Sequence, residues 1–209
     1  MRKALKAQWD SLRTVWHSGL STQVLHSAIA FFLLALLAFA ACTASPDLRE
    51  RLLSLVLTSI DSAGVVKEDG SFSALAILSN NLGAAALMMA YGLIPFLRLS
   101  ALPLGINAMA LGVLGAWYLT EGYSMAAFLA ALLPHGVLEL PALFLAFGMG
   151  LYACSQLTQR LFRKDESALR LWDCLALMCR LLLLVLLPLL AAASVIEAYV
   201  TPLIMSFFF

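Results

Sequence analysis

Five long apolar runs, near residues 22 to 42, 72 to 97, 103 to 120, 134 to 157 and 175 to 198, constrain this chain more than any other feature. A bilayer core about 30 Å thick is crossed by roughly 20 apolar residues of helix. Lipid cannot hydrogen-bond the backbone, so such runs must be helical, and the alternating pattern of membrane barrel strands is absent. Composition agrees: 63% of the 209 residues are hydrophobic and 12% are charged, far from the usage of soluble domains. The expected fold is all-α, a polytopic membrane helix bundle of about five transmembrane helices. It forms a single transmembrane domain over 22 to 209, in contact with the lipid bilayer, behind an N-terminal helix over 1 to 21.

Basic residues set the expected orientation. Arg2, Lys3, Lys6, Arg13, Arg98, Arg160, Arg163, Lys164 and Arg170 fall on one side of a five-span chain, against Arg49, Arg51 and Lys67 on the other, with Arg180 inside a span. The positive-inside rule then places the N-terminus in the cytoplasm and the C-terminus outside. A net charge of +1 argues against a nucleic-acid partner.

Residues 1 to 41 have the outline of a signal peptide, a basic stretch followed by an apolar one. The basic stretch is long for that role and carries Trp9 and Trp16, so it is read instead as a helix leading into the first span. Leu5, Trp9, Leu12, Val15, Trp16 and Leu20 share one face of that helix, with Arg2, Lys3, Lys6 and Arg13 largely off it, the pattern of an interfacial amphipathic helix. Ser45-Pro46-Asp47 is a helix start. A second amphipathic helix is expected from there, with Leu48, Leu52, Leu55, Val56 and Ile60 as its apolar face, ending at the SAG of 62 to 64. KEDG at 67 to 70 reads as a solvated turn. Cys42, Cys154, Cys174 and Cys179 form no C-x-x-C pair and are assigned to packing, with neither a disulfide framework nor a zinc site expected.

Span three carries Gly105, Ala108, Gly112 and Gly115 on one narrow stripe, a device for close helix approach in lipid. Residues 124 to 160 are too long for one straight crossing. Pro134 lacks an N–H and Gly136 is permissive, so a break is expected at LPHG. Residues 124 to 133 then form a re-entrant half-helix, and the corner faces the bundle interior.

From that corner His135, Glu139, Ala142, Ala146, Gly150 and Ala153 follow one helical stripe. A charge facing lipid at mid-bilayer costs at least about 2.5 kcal/mol, so His135 and Glu139 are expected to face protein. The polar intramembrane site is read as His135, Glu139, Asn80 and Asn81, framed by Pro134, Gly136 and Pro141. The asparagines, about 100° apart on their helix, are the expected partners, one pointing in and one flanking. Asn107, Arg180 and Glu197 are secondary candidates.

These residues also carry a resemblance. Asn80-Asn81 on an apolar helix, PHGVLELPALFLAFGMG from Pro134 and the closing IEAYVTP at 196 to 202 resemble the stage II sporulation protein M family of multi-pass prokaryotic membrane proteins. The resemblance covers about residues 70 to 202, with H-G-x-x-E-L-P-A at 135 to 142 its most specific part. Span three departs from the family's frequent Asn-Gly, having Asn107-Ala108. The resemblance implies a location in the cytoplasmic membrane and, from the sporulation member, a membrane component beside peptidoglycan-degrading partners.

Three functional classes fit the residues. A scaffold would use the buried polar groups to set helix register; a transporter or permease component would use them as a midplane site. A membrane-embedded metal-dependent enzyme would use His135 and Glu139 as ligands or as base and acid. The chain has no HExxH, no GxSxG and no second histidine at depth, so neither catalytic residues, bound metal nor cofactor are expected, and the scaffold reading leads. The glycine stripe and the apolar tail LIMSFFF predict a homo-oligomer, a dimer.

Overall fold

The computed structural model describes residues 2–67 and 71–208, and the side chains from residue 6 onward. Most of the turn read at 67 to 70, and the side chains of Arg2, Lys3 and Leu5, lie outside the described residues. The chain is all-helical: α1 (Arg2–Val15), α2 (Ser21–Ala44), α3 (Pro46–Ser62), α4 (Ala74–Tyr91), α5 (Ala101–Thr120), α6 (Met125–Phe162) and α7 (Leu171–Met205). Wide π-turns interrupt α7 at Leu182–Leu186 and Ile196–Val200. Among the described residues five helices are long and apolar enough to cross a membrane: Lys6–Ala44, α4, α5, α6 and α7. By internal contacts the chain divides into two compact units.

The first unit comprises Met1–Ile29, Gly83–Leu104 and Ala142–Pro188. Here α1 meets α2 through a π-turn at Trp16–Leu20, where Gly19 takes φ 127°, a conformation that L side chains rarely adopt. The N-terminal helix packs against the start of α7, and Arg180 donates to Ser11 Oγ at 2.9 Å. Its expected apolar face divides: Leu12, Val15 and Leu20 are buried while Trp9 and Trp16 stay exposed. The aliphatic edge is buried, and the indoles stay on the exposed side of the helix. Ala142, Ala146, Gly150 and Ala153 are all buried, as the small-residue stripe predicts. Gly92, just past α4, lies directly on Gly150 of α6.

The link from α6 to α7 is ordered by its own side chains. Asp165 accepts from Ser167 through both the hydroxyl (2.6 Å) and the backbone N–H (2.9 Å), which holds its carboxyl below the usual carboxylate range. Arg160 donates to the carbonyls of Glu166 and Ala168.

The second unit comprises Ala30–Leu82, Gly105–Pro141 and Leu189–Phe209. Cys42, Val113 and Ala116 form a core covered by Phe39, Leu52, Leu53 and Met109. The helix start at Ser45 is as expected: its hydroxyl accepts from Leu48 N, with Pro46 in the first turn. Only part of the anticipated α3 face turns inward; Val56 is buried, while Leu48, Leu55 and Ile60 remain exposed. Of the four cysteines, Cys42, Cys154 and Cys174 are buried thiols and Cys179 is exposed, none in a disulfide.

The α5 stripe is filled from within the chain. Ala108 is fully buried, and a Cβ added to Gly112 would run into the Ala35 carbonyl and the Phe39 backbone of α2. Gly105, by contrast, faces open space. Gly112→Leu should therefore cost about 1–3 kcal/mol through overpacking, whereas Gly105→Ala should gain about 0.5–1 kcal/mol as an ordinary helix substitution. Thermal unfolding of both variants in one detergent decides it; similar shifts for the two would contradict this packing.

One expectation is corrected here. The backbone does not break at LPHG: α6 runs without interruption over 38 residues with Pro134 and Pro141 inside it. Residues 125 to 133 are its first turns and not a separate re-entrant half-helix. Each proline deletes one backbone donor and crowds the preceding turn, and a membrane-embedded helix tolerates this when neighbouring groups relieve the freed carbonyl. The excess length is left as helix.

Candidate functional site

His135 and Glu139, four residues apart, share one face of α6. Glu197 comes from α7, in the π-turn Ile196–Val200. One ligand-capable atom of each residue lies within 4.8 Å of those of the other two, and all three are half-buried. His135 Nδ1 is 3.4 Å from Thr201 Oγ1, and that hydroxyl is also 3.4 Å from the Ile196 carbonyl to which it donates. Among the described residues neither carboxylate has a hydrogen-bond or ion-pair partner. Two carboxylates and an imidazole in apolar helices, with no basic residue paired to them, are arranged to share a proton or to receive a cation.

The asparagine partnership expected from the sequence is replaced by Glu197 and Thr201. Asn80 is exposed; Asn81 is buried at 8% exposure, and its Nδ2 has no partner among the described residues. Ile77, one turn before Asn81 on the same face, packs with Val65 and Ala198. Asn81 thus lies on the face of α4 turned toward the segment that carries Glu197, without a hydrogen bond to His135 or Glu139. Gly136 is buried, Pro134 half-buried and Pro141 exposed. Asn107 belongs to α5 and stands outside the three-residue cluster, as does Arg180, which is engaged by Ser11.

Glu197 ranked only as a secondary candidate in the sequence, and Thr201 was missed. The signal was available: Glu197 and Thr201 stand four apart near the end of an apolar run, the same spacing as His135 and Glu139. What linear order hides is that two such faces, 62 residues apart in the case of His135 and Glu197, meet.

Fold and site together define a class: a multi-pass α-helical membrane protein in which two long apolar helices bring a histidine and two carboxylates together. Within that class, the stage II sporulation protein M family matches residues 28–202, and the chain belongs to that family. The match extends beyond the motifs of α4, α6 and α7 to most of α2 and all of α3. No curated protein and no solved structure matches the chain.

Proposed function

We propose that this protein is an integral organiser of a membrane protein complex in the cytoplasmic membrane, with its N-terminus inside and its C-terminus outside. The observation that carries the reading is the one-sided packing of α2. Phe31, Ala35 and Cys42 are buried on one side, while Phe32, Leu33, Leu36 and Leu37 remain exposed. In lipid such a face packs equally well against acyl chains or a partner's transmembrane helix, and membership of the family favours the partner, of the envelope-remodelling kind. A photo-crosslinking residue at Leu37 in native membranes should yield a discrete protein adduct. Adducts to lipid alone would overturn the reading.

Homodimer formation belongs to the same proposal. The small-residue stripe of α5 supports it less, since α2 covers it at Gly112 and Gly115; the main support is the exposed tail, with Leu203 67% and Phe207 87% exposed. A homotypic adduct from a photo-crosslinker at Leu203 is the expected result.

Orientation is tested by cysteine labelling. Asp165 is a poor reporter position because its carboxylate holds the turn, so Glu166→Cys serves on one side and Lys67→Cys on the other, both in a Cys179→Ser background. An impermeant reagent added to intact cells should label position 67 and spare 166; the reverse pattern inverts the topology.

A second reading, movement of a cation or small solute, is favoured by the His135, Glu139 and Glu197 cluster, because polar groups converging within membrane helices are how secondary transporters hold their ions.

A further inference from the structure

We propose that His135, Glu139 and Glu197 form a binding site for a first-row divalent cation of the zinc or manganese type, which clips α6 to the C-terminal part of α7. The donor set points to this class. One imidazole nitrogen with two carboxylate oxygens is borderline between hard and soft: the imidazole favours zinc-like ions over magnesium or calcium, and the carboxylates also admit manganese. Charge points the same way. Two carboxylates against one divalent ion make a neutral unit, which is the form that apolar surroundings accept.

Geometry requires only a small adjustment. Ligand atoms about 2.0–2.2 Å from such an ion lie at most about 4.4 Å from one another, and these three groups already stand within 4.8 Å. They come from two helices, so closing on an ion draws α6 and α7 together and needs no backbone rearrangement within either. The contact of His135 Nδ1 with Thr201 Oγ1 supplies the outer support that orients a ligating imidazole, leaving the other ring nitrogen available. A second, independent feature is Asn81. Its buried Nδ2 has no acceptor among the described residues, and it shares the face of α4 on which Ile77 packs with Ala198, the residue after Glu197. A carboxylate that binds an ion through one oxygen presents the other to such a donor. The site goes beyond the organising role proposed above and does not depend on it.

The test uses the full chain in nanodiscs, stripped with chelator and titrated with Mn²⁺ or Zn²⁺ while thermal unfolding is followed. The expected result is saturable uptake of one ion per chain with a rise in unfolding temperature, unaffected by a hundredfold excess of Mg²⁺. Glu139→Gln and Glu197→Gln should each weaken Mn²⁺ binding at least tenfold, while Asp61→Asn, an exposed carboxylate elsewhere, should bind as the parent does. Pulsed electron paramagnetic resonance of Mn²⁺ bound to the unaltered chain should show coupling to a ¹⁴N nucleus, a readout that needs no variant to fold. Absence of saturable uptake, absence of ¹⁴N coupling, or undiminished binding in Glu139→Gln and Glu197→Gln would each overturn the site.

Discussion

Gly92→Ala should destabilise the protein by about 3 kcal/mol, the upper end of overpacking costs, although it adds a single methyl group. The backbone at Gly92 has no left-handed φ, so the substitution is not opposed by local conformation. The penalty comes from outside its own segment. The new Cβ would be driven into the Gly150 backbone, and backbone cannot rotate away as a flexible side chain does. Gly150→Ala should cost a similar amount, since its Cβ would meet the Met88 carbonyl and Ser100 Oγ. The two changes lie side by side, since the Cβ at position 92 meets the backbone of residue 150 itself, so their effects should not be simply additive. Thermal unfolding of the single and double variants in one detergent measures this; a Gly92→Ala protein as stable as the parent would show that the two backbones do not touch.

Glu139→Gln should leave the cation-free fold at least as stable as the parent and should divide the functional readings. Glutamine keeps the size of the side chain while removing one of two carboxylates that stand together with no basic partner among the described residues, and like charges that close repel. For an organiser of a complex, the variant should still assemble and complement a deletion strain. For a carrier of protons or cations it should lose transport with stability intact. Glu139→Ala also deletes the γ-methylene, worth up to about 0.8 kcal/mol when fully buried, together with the polar end group, so it should be the less stable of the pair. Unfolding temperature measured beside complementation separates these outcomes: a stable, correctly assembled Glu139→Gln protein with no function would remove the purely structural account of Glu139.

Much of the site was legible in the sequence because membrane helices punish stray polarity. His135 and Glu139 stood out as costly groups in an apolar run, and helical spacing put them on one face with Ala142, Ala146, Gly150 and Ala153, the last four of which are buried. Adjacent positions on a helix cannot both point straight at one neighbour; here Asn81 is buried and Asn80 is exposed. The meeting with Glu197 was not legible because linear order does not show which faces of two helices far apart in the chain come together. The break at Pro134 was misread for a related reason. Proline's local cost is visible in sequence, but whether a helix bears it depends on what surrounds the freed carbonyl.

The solvent, the helical class, the five long apolar helices and the faces unfit for lipid follow from the residues alone, because each rests on the free energy of single groups or short segments in hydrocarbon. Tertiary structure alone decided that Glu197 and Thr201 meet His135 and Glu139, that α2 fills the stripe of Gly112 and that Gly92 rests on Gly150. Those pairings are choices among many lipid-compatible helix arrangements of similar apolar burial, and they are settled by backbone contacts and polar convergence between segments far apart in the chain.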